Sequence, residues 1–82
     1  MAVSSVRTVA DRYGTRWTFY NDAGTMKHYS DINTTPVSDF ALPATDTAFD
    51  VTIDTTGRWT VVYQSSGTLL SKYSDTQGAA WV

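Results

Sequence analysis

Carboxylates and arginines are the side chains of this sequence that could carry out hydrolytic chemistry. All eight acidic residues are Asp and none is Glu, and the arginines are Arg7, Arg12, Arg16 and Arg58. Glycoside hydrolysis needs two carboxyl groups on opposite sides of the scissile bond. No spacing among the aspartates predicts such a pair, so we expect a protein that is not an enzyme and has no catalytic residues.

Metal and nucleophile chemistry have no better support. The sequence contains one histidine, His28, and no cysteine, so neither a His-based metal cluster nor a Ser–His pair is indicated by a motif. Asp46, Asp50 and Asp54 recur every four residues, but the first falls in a loop pattern and the other two in a strand pattern. We expect them to be solubilising charges, His28 to be a solvent-exposed strand residue, and the chain to have no metal site and no cofactor.

The charge balance and the hydropathy exclude two classes of partner. Six basic residues among eight acidic ones give a net charge of −2, whereas binding to a phosphate backbone needs a dense basic face. No stretch approaches the roughly 20 apolar residues of a membrane-spanning helix, and the N-terminal residues do not have the pattern of a signal peptide. We expect a soluble chain with neither a nucleic acid nor a membrane as partner. Missing cysteines fit an oxidising or a reducing compartment.

Strands are the elements predicted to position any site. Serine and threonine together number 22, leucine only 3, and β-branched and aromatic residues dominate over good helix formers. Residues Arg16–Tyr20 alternate in the manner of a strand, Asn21–Gly24 have turn chemistry, and Thr25–Tyr29 resume an extended pattern. This order predicts a β-hairpin.

A second hairpin makes the chain an internal repeat. Arg58–Tyr63, a turn around Gly67 and Thr68–Tyr73 follow the same order as the first hairpin, and both copies begin with Arg-Trp-Thr and end with Tyr-Ser-Asp. Gly14 and Gly57 stand 43 residues apart. Repeats of about this length with three or four short strands are typical of propeller blades, which bury their faces only by stacking on neighbours.

The repeat predicts an all-β fold with one domain over residues 1–82. We place repeat 1 at about residues 1–37 and repeat 2 at about residues 38–82, each an antiparallel, blade-like unit. A chain this short buries only about 60–65% of its unfolded surface, so without disulfides or a metal site it must either pack very efficiently or associate. We therefore expect the two units to complete a propeller or a similar closed β assembly by oligomerisation, with a homotrimer as the preferred state.

The end of the second copy resembles a known structural motif. Ser74, Gly78 and Trp81 are in register with the Asp box of sialidase-type (BNR) propeller repeats, usually Ser/Thr-x-Asp-x-Gly-x-x-Trp. Asp75 stands one place before the Asp of that motif. The first copy matches more weakly, through Ser30 and Asp31 alone.

The resemblance implies a structural role for these residues. In that family the box is a turn in which Asp and Ser side chains bind backbone amides and Trp packs into the blade interface, which agrees with the general behaviour of short polar side chains and glycine in turns. The sialidases of the family use an arginine cluster, a Tyr nucleophile, an activating Glu and an Asp acid/base. Because this sequence has no Glu, the resemblance does not extend to their activity.

Aromatic residues are the candidate contacts with a ligand or with another subunit. Strand geometry puts alternate residues on opposite sides, so Trp17 is expected to share a side with Phe19, and Trp59 with Tyr63, while Tyr20 points the other way. Burial in the core is the favoured interpretation for Trp17 and Trp59. A subunit interface and stacking on a sugar ring remain alternatives for these residues and for Tyr20 and Tyr63.

These observations together favour a non-enzymatic structural or adhesion protein. Short Asp-box repeats rich in Ser, Thr, Asp and Gly resemble accessory proteins of tailed bacteriophages, such as capsid decoration, head-fibre or tail subunits. That resemblance implies a location on the virion, a capsid or tail protein as partner, and multivalent display by a homo-oligomer. The alternatives are a carbohydrate-binding lectin of propeller type, with a glycan as partner, and a fragment or engineered piece of a longer propeller, suggested by the stop just after Trp81.

Overall fold

Antiparallel strands make up the fold of residues 3–82, the part of the chain that the computed structural model describes. The strands are β1 (Val3–Ala10), β2 (Arg16–Asp22), β3 (Thr25–Ser30), β4 (Val37–Ala41), β5 (Phe49–Ile53), β6 (Trp59–Ser65) and β7 (Thr68–Ser74). The predicted all-β class is confirmed. Residues 3–82 contain no helix that is long and apolar enough to cross a membrane.

The strands form two separate sheets. Sheet 1 has the order β1-β2-β3-β4 and sheet 2 the order β5-β6-β7, so that neighbours in each sheet are also neighbours in the chain. Within residues 3–82 neither sheet closes on itself. The backbones of the two sheets come close through β1 and β5, the first strand of each.

The turn that precedes each Arg-Trp-Thr segment is held by an aspartate. Asp11 Oδ1 accepts hydrogen bonds from the backbone N–H groups two and four residues later, at 2.9 and 3.0 Å. Asp54 Oδ1 accepts the equivalent bonds, also at 2.9 and 3.0 Å. A short acceptor that binds its own following backbone is the usual Asx turn. The two turns are thus equivalent at a separation of 43 residues.

The two hairpins also have the same turn type. Ala23 and Gly24 have φ values of 51° and 96°, and Ser66 and Gly67 have φ values of 51° and 81°. Positive φ at both central residues defines a two-residue type I′ turn, which matches the right-handed twist of the strands on either side. The separation is again 43 residues, so this number is the structural period of the chain.

The core lies between the sheets and is mostly aromatic. Trp59 is 1% exposed. Its ring lies 4.7 Å from that of Trp17 and 5.1 Å from that of Phe19, in edge-on contacts with interplanar angles of 61° and 90°. Such aromatic pairs contribute roughly 0.5–1.5 kcal/mol beyond the area that they bury. We call the faces that meet here the inner faces of the two sheets, and the opposite faces the outer faces.

The two hairpins present opposite faces to this core. Counted back from the hairpin turn, the inward residues of β2 are the second, fourth and sixth, whereas those of β6 are the third, fifth and seventh. They are Asn21, Phe19 and Trp17 in β2, and Tyr63, Val61 and Trp59 in β6. Under the 43-residue period, the inner face of sheet 1 is therefore equivalent to the outer face of sheet 2.

A substitution that stabilises the first hairpin turn tests its assigned type I′ geometry. An L-residue in the left-handed region costs about 1–2 kcal/mol, and Asn tolerates that region better than Ala. Ala23→Asn is expected to raise the free energy of unfolding by about 0.5–1 kcal/mol in urea denaturation. The control is Ala79→Asn, at an exposed site outside the positive-φ residues. Equal stability of the two variants would contradict the type I′ assignment.

Candidate assembly interface

The segment after β7 forms a turn held by the side chains of Ser74 and Thr76. Ser74 Oγ accepts hydrogen bonds from the N–H groups of Thr76 at 3.2 Å and Gly78 at 2.9 Å. Thr76 Oγ1, at the position of the motif's Asp, accepts one from the N–H of Ala80 at 2.9 Å. Asp75 instead points outward and forms a two-pronged ion pair with Arg58, at 2.9 and 3.1 Å.

Gly78 is packed tightly into the end of the core. A Cβ atom at this position would lie 2.8 Å from His28 Cε1, 2.9 Å from Trp59 Cζ3 and 3.0 Å from Asp39 Oδ1. The residue also has a φ of 86°, which an L-residue rarely adopts. Any side chain here therefore pushes on the inner faces of both sheets.

A pair of glycine substitutions separates crowding from backbone strain. Gly57 has a similar φ of 93°, but a Cβ there would have nothing within 4 Å. Both Gly78→Ala and Gly57→Ala suffer the backbone penalty, and only Gly78→Ala overpacks the core, which costs about 1–3 kcal/mol more. Thermal denaturation should show Gly78→Ala as clearly the less stable variant. Similar melting temperatures would mean that the turn does not press on the core.

The first copy of the motif forms a smaller turn. Ser30 Oγ accepts a hydrogen bond from the N–H of Asn33 at 2.8 Å, and Asp31 exchanges bonds with the backbone of Arg16, at 3.1 Å through its N–H and 3.4 Å through its carboxylate. Ser30 lies opposite Trp17 in the β2–β3 ladder, as Ser74 lies opposite Trp59 in the β6–β7 ladder. The two serines thus have the same place beside a core tryptophan.

A buried polar cluster joins β3 and β4 of sheet 1 to the segment after β7, beside Trp59. His28 Nδ1 lies 2.8 and 2.7 Å from the two carboxylate oxygens of Asp39, and Trp81 Nε1 donates a hydrogen bond to Asp39 Oδ1 at 3.1 Å. The Asp39 side chain is 0% exposed and that of His28 6% exposed. The expectation of a solvent-exposed His28 is therefore wrong. A bulge in the β3–β4 ladder between Met26 and the next residue aims Asp39 inward.

Three of the aspartates at the turns have lowered pKa values. The Trp17 indole N–H, which donates to Asp11 Oδ2 at 3.1 Å, is the main cause that lowers the pKa of Asp11. The hydroxyl of Thr56 lowers the pKa of Asp54, and the Arg58 guanidinium lowers the pKa of Asp75. Each bond favours the ionised carboxylate over the protonated form.

These shifts predict loss of stability in acid. A carboxylate with a lower pKa in the folded than in the unfolded chain stabilises the fold above its unfolded pKa, about 3.9, and this contribution is lost as the pH falls through the folded value. The double variant Asp11→Asn, Asp54→Asn keeps the oxygen that accepts the backbone N–H groups in each turn, loses the Asp11 acceptor of the Trp17 indole N–H, and has no titrating group at either position. Its free energy of unfolding should fall less steeply than that of the wild type below about pH 4. Asp46→Asn, which removes the same charge from an exposed loop position, is the control and should follow the wild type.

The outer face of sheet 1 combines a concave apolar region with the Lys27–Asp22 ion pair, whose atoms lie 2.9 Å apart. A depression of about 280 Å³ is lined by Val3, Val6, Thr18, Tyr20 and Tyr29. The rings of Tyr20 and Tyr29 lie 6.1 Å apart, and Val6 is 53% exposed. Isolated apolar residues on a surface are ordinary, but a contiguous patch with aromatic rings is typical of an interaction site.

The outer face of sheet 2 has a comparable depression, of about 290 Å³. Val62 and Leu69 stand beside each other on it and are 39% and 74% exposed. Asp50 and Gln64 also line this depression. The structure thus leaves a depression with exposed apolar side chains on the outer face of each sheet, and both lie opposite a well-packed inner face.

The predicted aromatic contacts divide between these surfaces. Trp17 and Trp59 contact each other between the sheets, and Tyr63 is buried there at 8% exposure. Tyr20 alone of the four lies on an outer face. The sequence did not point to Val6, Val62 or Leu69 as contacts, because a single exposed aliphatic residue carries no signal until the faces are known.

A more polar cleft of about 380 Å³ lies where the two Asx turns meet the segment after β7. Its exposed aromatic residue, Tyr13, is 74% exposed, and the Arg12 guanidinium lies over its ring, 4.8 Å from the ring centre. Arg12 also donates a hydrogen bond to the carbonyl oxygen of Thr55 at 2.9 Å. Residues 3–82 contain no group of three or more potential metal ligands. Within the described residues this cleft therefore has no built metal site, and its one exposed ring already carries a cation over it.

Comparisons with protein-family models, with curated proteins and with solved structures found no match for this chain. Its function is therefore inferred from the geometry of the two outer faces.

Proposed function

We propose that this chain is a non-enzymatic structural or adhesion subunit that acts as a symmetric homo-oligomer, in which the sheets of successive copies stack around an axis as a propeller or a similar closed β assembly. The observation that carries the proposal is that the two sheets meet by opposite faces. In this arrangement, the same contact between two sheets can be repeated from one copy of the chain to the next.

Two similar sheets can pack in two ways that differ in symmetry, through equivalent faces or through non-equivalent faces. If a two-fold rotation related them, equivalent faces would meet and the contact would be finished. Here the inner face of sheet 1 meets a face of sheet 2 that is not its equivalent, so each sheet keeps one face for another neighbour. Contacts of this head-to-tail kind form closed rings when the rotation closes.

The chain path supports the same proposal. β1 and β5 lie on the side where the two sheets approach each other, and each sheet then adds strands in order away from that side. The connection after β4 returns from the far edge of sheet 1 to the near edge of sheet 2. Stacked sheets with close first strands are the architecture of propeller blades around a central axis.

The lack of an enzymatic role is supported by the state of the sole histidine. His28 is buried and its Nδ1 is engaged by Asp39, whose other bond goes to Trp81. These groups act together as a structural cluster between the sheets. The proposed place on a virion, with a capsid or tail protein as partner, rests on the resemblance to phage accessory repeats. Several weak sites presented by one ring would give avidity there.

The lectin alternative has less support. Of the four candidate aromatics, Tyr20 is the one on an outer face, where it stands beside Tyr29. A stack of sheets would cover that platform, and in the polar cleft the Arg12 guanidinium lies over the ring of Tyr13. Sugar binding by this chain would therefore compete with its assembly.

The mass of the protein in solution tests the proposal. Sedimentation velocity and native mass spectrometry should detect a discrete closed oligomer of the 9.0 kDa chain, with a trimer preferred. A closed ring has a fixed size, so its mass should reach a plateau as the concentration rises. A mass of one chain across the concentration range would contradict the proposal, and so would growth without limit.

A further inference from the structure

We propose that the outer face of sheet 2 in one copy binds the outer face of sheet 1 in the next copy, in the register that the inner faces already use within the chain. This inference rests on the proposed homo-oligomer and names the surfaces that form it. It follows from the 43-residue period, which assigns to each residue of one sheet an equivalent in the other.

The period first identifies the residues that would enter the neighbouring copy. Phe19 and Met26, both 0% exposed on the inner face of sheet 1, are equivalent to Val62 and Leu69. Those two residues are apolar and lie side by side, but they are 39% and 74% exposed. The outer face of sheet 2 therefore repeats the apolar centre of the inner face of sheet 1 at the positions where a partner is missing.

The same period identifies the receiving residues. Phe49 and Tyr63, which are 3% and 8% exposed on the inner face of sheet 2, are equivalent to Val6 and Tyr20. Val6 and Tyr20 line the depression on the outer face of sheet 1. The outer face of sheet 1 thus has an aliphatic residue and an aromatic ring at the positions where the inner face of sheet 2 has two aromatic rings.

The contact between copies should be weaker than the contact within a chain. Trp17 and Trp59, which lie at the centre of the internal interface, are equivalent to Thr60 and Arg16. Burying a large aromatic side chain contributes far more than burying threonine, and aromatic residues dominate interface energetics. The chain is therefore expected to fold before it assembles, and its oligomer to dissociate on dilution.

The edge of sheet 2 offers a competing contact. The backbone of Tyr73 in β7 pairs with that of Val82, at 2.9 and 3.1 Å, and Leu69 and Leu70 lie further along the same strand. An exposed edge strand can pair with a copy of itself. Such a dimer would be two-fold symmetric and would not use Tyr20 or Val6, so substitutions on the two outer faces separate the two contacts.

The decisive experiment mixes two variants, each with one broken face. The entering-face variant is Val62→Asp, Leu69→Asp, and the receiving-face variant is Val6→Asp, Tyr20→Asp. Each keeps one intact face, so each alone is expected to sediment as a monomer. A mixture of the two should give a 1:1 heterodimer that grows no further, because one intact pair of faces remains. Ile32→Asp, at an 80% exposed residue of the turn after β3, is the control and should keep the mass of the wild type.

The possible failures point to different conclusions. A monomeric wild type overturns the proposed function itself. An oligomeric wild type whose receiving-face variant stays oligomeric overturns the face assignment and favours the β7 edge contact. The face assignment is also overturned if both variants are monomeric and give no heterodimer on mixing. Near-ultraviolet circular dichroism checks that each variant is folded. If a double variant does not fold, the single substitution Leu69→Asp or Tyr20→Asp takes its place.

Discussion

Packing against the indole of Trp59 is the interaction on which the rest of the structure depends. Neither sheet can bury a face by itself, and this ring contacts Trp17, Phe19 and His28 across the gap between the sheets. The segment after β7 then closes the end of the gap by placing Gly78 against the same ring. Replacing a buried tryptophan by alanine removes about 3–5 kcal/mol, a large part of the stability of a small domain.

Much of the fold was readable from the sequence, but the relation between the two halves was not. Strand composition and glycine turns predicted the hairpins, and both occur. The tryptophans of the two Arg-Trp-Thr segments stand 42 residues apart and the turns 43. A difference of one residue between these spacings has no evident meaning in a sequence alignment. In a strand it moves a side chain to the opposite face, and here it puts both tryptophans into one core.

The site residues show the same limit at a finer scale. In the segment after β7, Thr76 and not Asp75 binds a backbone N–H group, and the sequence alone did not show that Asp75 would pair with Arg58 instead. The pairing of His28 with Asp39 had no local signal, since a bulge determines which way Asp39 points. Bulges and pairing registers are set by long-range contacts, which short sequence patterns do not contain.

The placement of the turns gives the molecule two unlike ends. Asp11, Asp31, Asp54 and Asp75 all follow strands that run in the same direction, so their carboxylates gather at one end, while both type I′ turns lie at the other. A head-to-tail ring keeps every copy in the same orientation, since it has no axis that exchanges its sides. One rim would then be built from the Asp and Ser turns and the other from the type I′ turns, so the ring could attach to a larger surface in a single orientation.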